Sequence, residues 1–239
     1  MADGVGGWAE DGVDPAEYAN AFVVGMAKAA AESSAAAEAL SGGAEARGIL
    51  HTAHGASMAV PGAATAVVAL VRGRELHVAN LGDSGLRLIR GGQVVAATKQ
   101  QQHYWDCPFQ FGSASSDLAS DAEVLSLPLE VGDVVILASD GVYDNVFDGE
   151  LEQIAAGVLG DDKERARAIA DGVTALARRH SEDTERDSPY SLGAIQSGIE
   201  PSWFDKLLGK RIVGGKLDDT TACVAVIAEA EVEPVAEEA

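Results

Sequence analysis

Cysteine is almost missing from this chain. Cys107 and Cys223 are its only two thiols and no CxxC pair occurs. A disulfide framework, a thiolate zinc site and a dithiol redox centre are therefore excluded, and a reducing compartment is the expectation. Long apolar runs are missing as well. No stretch of about 18 apolar residues is available to cross a bilayer, and Met1 leads directly to Asp3-Gly4 without the charged and apolar regions of a signal peptide. An intracellular protein with no membrane insertion is expected. Basic side chains are the third scarcity: 17 Lys and Arg against 38 Asp and Glu leave a net charge of −21. The averaged field of such a chain repels phosphate backbones, which excludes nucleic acid as a partner. An acidic protein that handles phosphorylated substrates needs cations at its site to reverse the local potential.

What is present is globular. The 239 residues are 47% hydrophobic and 23% charged, enough for one domain with a substantial core. Asp14 as N-cap, Pro15 at the first helical position and Tyr18, Phe22 and Met26 at i+4 spacing predict a helix from Pro15 to about Ser34. A second helix is expected to end near Ser57, its stripe formed by Ala46, Ile49, Leu50 and Ala53. Strand patterns follow at 64–71, 75–80, 86–90, 93–97, 123–127 and 134–139, with Gly91-Gly92 as a tight hairpin turn. Helices are expected at about 148–159 and 162–180, the latter with an apolar stripe of Ala166, Ile169, Ala170, Val173 and Leu176, and a last strand at 222–228. Residues 181–213 read as a less regular surface insertion. Residues 229–239, with five Glu and no Lys or Arg, read as an acidic, disordered tail. Strands grouped in hairpins and helices grouped in pairs predict an α+β fold with antiparallel sheets, not alternating βαβ units.

Three acidic, glycine-bearing motifs carry the chemistry: Ala2-Asp3-Gly4-Val5-Gly6-Gly7-Trp8, Ala138-Ser139-Asp140-Gly141-Val142-Tyr143-Asp144-Asn145 and Gly214-Gly215-Lys216-Leu217-Asp218-Asp219-Thr220-Thr221. Each puts a carboxylate at or beside a strand end, in a turn where glycine lets the backbone approach an ion. Singly, each also reads as an ordinary Asp turn; jointly they point to a hard-metal site. Gly82-Asp83-Ser84-Gly85 matches the string around a protease nucleophile, but reads better as a turn between strands. His51 and His54 lie three apart on an Ala-rich helix with no third ligand placed, so a satisfied helix surface is the better reading. Gln101-Gln102-His103-Tyr104-Trp105 with Pro108-Phe109 reads as a packed loop or a substrate platform.

With Ala79-Asn80-Leu81-Gly82-Asp83-Ser84-Gly85, Gln101-Gln102-His103-Tyr104 and Pro108-Phe109-Gln110 added in order, the chain from residue 2 to about 228 resembles the metal-dependent (PPM, type-2C) serine/threonine protein phosphatases. The likeness is strongest to the organellar subgroup that includes the T-cell-activation phosphatase and the plant photosystem II core phosphatase. The resemblance implies two antiparallel sheets in a sandwich flanked by helix pairs, with residues 1–228 forming the phosphatase-like domain. It also implies two Mg²⁺ or Mn²⁺ ions, held by Asp3, the Gly4 carbonyl, Asp140 and Asp218, with Asp219, Asp144 and Asp83 supporting them. A metal-bound water is the implied nucleophile toward phosphoserine or phosphothreonine of a phosphoprotein, and no side chain forms a covalent intermediate. Mitochondrion or chloroplast is the implied location. The chain departs from the family in three places. Val5 stands where many members have a proton-donating His, Gln102-His103 stands for the Asp-His pair of a third metal, and the N-terminal strands with their phosphate-binding Arg and acidic residue do not precede Asp3. The alternative reading is an N-terminally truncated pseudophosphatase acting as a protein-binding module.

Overall fold

The computed structural model describes residues 1–35, 42–201 and 211–229. Apart from Glu229, the expected acidic tail lies outside the described residues. Helix α1 (Pro15–Ala35) begins where the sequence predicts, because the Asp14 carboxylate accepts the Ala16 N–H at 2.9 Å. Its Tyr18, Phe22 and Met26 are buried against α2 (Gly42–Ser57), whose Ala46, Ile49, Leu50 and Ala53 form the facing stripe.

These helices cover one antiparallel sheet, ordered β1 (Ala2–Gly4), β2 (Ala63–Arg72), β3 (Glu75–Leu81) and β9 (Glu123–Pro128), with β8 (Phe111–Gly112) also paired to β2. The second antiparallel sheet is ordered β11 (Ala222–Val226), β10 (Val134–Ala138), β4 (Gly85–Arg90) and β5 (Gln93–Ala97). Strand alternation sorts the side chains into layers. On β2, Ala64 and Ala66 face the helix pair while Val67 joins Leu76 and Val78 of β3, Leu86 and Leu88 of β4 and Val135 of β10 in a shared cluster between the sheets. On β10, Val134, Ile136 and Ala138 point the other way, onto α3 (Asp140–Tyr143), α4 (Asp148–Gly157) and α5 (Asp162–Ser181). The fold is α+β with antiparallel sheets, and no described helix is long and apolar enough to cross a membrane.

Three expectations shift. The buried stripe of α5 is Ile169, Val173, Ala177 and Ser181, while Ala166, Ala170 and Leu176 are only half-buried. The loop after residue 100 is a two-stranded ribbon of β6 (Gln102–Tyr104) and β7 (Cys107–Pro108). The region read as a surface insertion contains α6 (Pro189–Gln196) and the buried Ser188 and Ser191. It holds the start of the last motif: Gly214 N–H donates to the Arg186 carbonyl at 2.7 Å, Gly215 N–H to that of Asp183 at 2.8 Å, and Ser188 Oγ to that of Gly214 at 2.6 Å.

Candidate metal centre

The three acidic motifs meet in one cleft of about 430 Å³, lined by Asp3, Gly4, Asp83, Asp140, Asp218 and Asp219 together with Asp106 and Lys216. Asp3 arrives on β1, whose pairing with β2 sets Asp3 opposite Thr65. Asp140 sits at the end of β10, where the buried run Val134–Ala138 stops and α3 begins. The Asp218-Asp219 loop is drawn against it by Ser139, whose Oγ donates to the Asp219 carbonyl at 3.0 Å and accepts the Thr221 N–H at 3.1 Å. Only glycine fits at 141, since a Cβ there would run into the Asp219 carbonyl. Gly82 meets the same kind of demand: its φ of +103° lies in the left-handed region, and Thr65 and the Phe109 carbonyl leave no room for a side chain. The turn it makes carries the buried Asp83 into the cleft.

Burial, reinforced by the crowding of carboxylates, dominates the electrostatics. Burial, then the Asp140 charge and a hydrogen bond with Asp140, then Asp218 and Asp83, push the Asp3 carboxyl up to about 8. Burial and the charges of Asp140 and Asp144 push Asp83 to about 7 against the pull of Lys216. Burial raises Asp144 to about 6, with Lys216 opposing, and Asp218 is raised by burial and Asp140. Asp144 stands behind Asp140, off the cleft lining, where it accepts from Gln100 Nε2 at 3.2 Å.

Three residues gain roles that their motifs did not announce. Lys216 projects its ammonium among the acids, 2.7 Å from Asp140, 3.1 Å from Asp106 and 3.3 Å from both Asp144 and Asp218. Its backbone is clamped by the fully buried Asn145, which accepts the Lys216 N–H at 2.9 Å and donates to its carbonyl at 2.8 Å. Asp106, in the β6–β7 turn, is the non-glycine residue with positive φ (62°) among those described. Nothing in Trp105-Asp106-Cys107 announces that turn. Lys216 and Asn145, in contrast, lie inside two of the acidic motifs.

The remaining candidates sit elsewhere. His103 Nε2 lies 3.0 Å from Asp117 Oδ2 and stacks on Phe109 with centroids 4.2 Å apart, outside the cleft lining. His54 packs against the Phe111 ring, 3.4 Å from the Gly112 carbonyl, as a satisfied helix residue. Among the described residues no three carboxylate, imidazole or thiol groups gather closely enough to form a ready cation cage. The donor set is nonetheless all oxygen, which fits hard divalent ions and not zinc-type thiolate sites.

Residues 1–159 match the family model described as protein phosphatase 2C. The chain is 38% identical over 229 residues to "Probable protein phosphatase 2C 26" of Arabidopsis thaliana, covering 95% of this chain and 72% of that protein. It is 39% identical over 230 residues to "Probable protein phosphatase 2C 1" of Oryza sativa subsp. japonica, again covering 95% of this chain but 65% of the relative. Among solved structures it is similar to the photosystem II phosphatase PBCP, with a TM-score of 0.83 at 34% identity, covering 95% of this chain and 85% of that one. With the family model spanning two thirds of its length, the chain belongs to the protein phosphatase 2C family.

Proposed function

We propose that the chain hydrolyses phosphoserine and phosphothreonine in phosphoproteins, using two Mg²⁺ or Mn²⁺ ions held by Asp3, the Gly4 carbonyl, Asp140 and Asp218. The observation that carries this reading is the convergence of those acids in one cleft, where Asp3 is pushed to about 8 by burial and its neighbours. Such carboxylates ionise together at neutral pH when divalent charge shares the cleft. Bound there, the ions supply a water of lowered pKa as nucleophile and offset charge on the phosphoryl oxygens.

The chain's own residues do the positioning. Ser139 and Gly141 hold the Asp140 and Asp218 strand ends together. Asp83, Asp144 and Asp219 shape the field around them. Thr65 is the hydroxyl side chain lining the cleft, and its Oγ1 is hydrogen-bonded to Ser84 Oγ at 2.8 Å with no imidazole beside it, so it is not set up to attack phosphorus. Val5 lines the same cleft and can exclude water but cannot donate a proton. An organellar setting, mitochondrion or chloroplast, is favoured by the likeness to the photosystem II phosphatase.

Asp140→Asn is expected to lower Mn²⁺-dependent hydrolysis of a phosphothreonine peptide by about 100-fold or more, because it removes a ligand charge. Unchanged turnover in the folded variant would sink the assignment. A folded wild-type protein that shows no turnover with Mn²⁺ or Mg²⁺ would favour the protein-binding module instead.

A further inference from the structure

The cleft already contains a cation of the protein's own. Lys216 Nζ lies within 3.3 Å of carboxylate oxygens from four residues, Asp106, Asp140, Asp144 and Asp218. Two of these, Asp140 and Asp218, are among the residues proposed to hold divalent ions. The ammonium is not a loose surface group that drifted inward. Asn145 fixes the Lys216 backbone at both N–H and C=O, and the chain on its N-terminal side is tied through Gly214 and Gly215 to Arg186, Ser188 and Asp183. The Tyr190 ring lies 5.5 Å from the ammonium, and Tyr190 is held by its N–H to the Asp144 carbonyl at 2.9 Å. Asp106 adopts its left-handed backbone in the turn that carries its carboxylate to Lys216, so both partners are placed by the fold.

We propose that Lys216 is a built-in counter-cation of the cleft: it competes with divalent ions for Asp140 and Asp218 and thereby sets how tightly, and in what number, the cleft takes them. The inference rests on the phosphatase reading above and extends it to regulation of metal affinity. An ammonium at 2.7 to 3.3 Å uses the oxygen lone pairs that a hard ion needs. Its unit charge also opposes a second cation at close range in a partly desolvated site. The same geometry gives Lys216 a second effect, since it offsets the repulsion among four acids whenever divalent ions are scarce.

Calorimetric titration of Mn²⁺ into chelator-treated wild type, Lys216→Met and Lys216→Arg tests this without any turnover measurement. Lys216→Met is expected to bind Mn²⁺ on the order of tenfold more tightly, or to take an additional ion. The same variant should melt at lower temperature than wild type without metal and regain the difference when saturated. Lys216→Arg should stay close to wild type in both measurements. A purely structural role for Lys216 predicts the opposite sign, because a disordered cleft binds metal more weakly. Unchanged or weaker Mn²⁺ binding by folded Lys216→Met, with wild type binding normally, overturns the counter-cation alone. No Mn²⁺ binding by wild type overturns both this inference and the metal-dependent reading. Should Lys216→Met fail to fold, Lys216→Gln, which keeps the stem's length and some polarity, takes its place with the same expected outcomes.

Discussion

Tyr18 shows how a single atom can act against the fold that buries it. Its ring is fully enclosed beside Phe22, 6.0 Å between centroids, yet among the described residues its buried hydroxyl has no hydrogen-bond partner, and burial raises its pKa to about 12. A buried hydroxyl left unpaired loses its water without compensation, so Tyr18→Phe is expected to raise unfolding stability by about 1 kcal/mol. Urea titration measures it, and a clear loss of stability would show that the hydroxyl has a partner in solution. The same contrast between ring and polar atom explains what was legible residue by residue. Tyr18, Phe22 and Met26 announced themselves by spacing, as did Asp3, Asp140 and Asp218 by their glycine-flanked turns. Lys216, Asn145 and Asp106 did not, because their roles exist only once residues from distant parts of the chain are adjacent: Asn145 meets Lys216 across 71 positions. Reading Lys216 as part of a motif located it without revealing that its charge points into the acids.

At the scale of elements, β10 is the strand on which the cleft depends, since it pairs with both β4 and β11 and ends two residues before Asp140. Its entry is fixed by Asp133, 1% exposed, whose two oxygens accept from Arg90 Nε at 2.8 Å and Nη2 at 2.7 Å, with a further bond from the Glu130 N–H at 2.8 Å. Burial would raise the Asp133 carboxyl, but the Arg90 guanidinium and the backbone donor outweigh it and hold it below its ordinary value. Asp133→Ala is therefore expected to lower stability by about 2 kcal/mol, a charged hydrogen-bonded pair being lost while Arg90 keeps some access to water. The urea midpoint should fall with the slope unchanged; no shift would mean that the pair is cosmetic. The strand itself was visible as an unbroken apolar run, and the β4–β5 hairpin from Gly91-Gly92. Less visible were β6, β7 and α6. Two- and three-residue strands are too short to show a period, and α6 exposes Ile195 while burying Ser191 and Ala194, so its pattern is set by packing against Trp105 and the Lys216 loop, not by polarity.

For the whole molecule the governing quantity is a net charge of −21, part of it concentrated in one cleft. In the unfolded chain the cleft carboxylates ionise near their ordinary value of about 4. In the folded protein without metal, Asp144 is raised to about 6, Asp83 to about 7 and Asp3 to about 8. Between those limits the folded state holds more protons than the unfolded one, so stability falls as pH rises. The contribution is fully present below about pH 4 and is lost as pH passes through the folded values. Asp133 and Glu45, shifted downward, titrate below this window, and the Met1 ammonium, lowered from 8.0 by burial, opposes the trend as one group against Asp3, Asp83 and Asp144. The melting temperature of chelated protein at constant ionic strength should therefore decline steadily from about pH 5 to about pH 9. Asp83→Asn should remove part of that slope, which general repulsion from the surface acids would not explain. Saturating Mn²⁺ should flatten it further, because bound cations replace protons as the neutralising charge, and at about 100-fold excess over Kd they add about 2.7 kcal/mol. A chelated protein whose melting temperature holds level or rises over that range would show that the cleft acids are already ionised and solvated, removing the electrostatic basis for reading the cleft as a cation site.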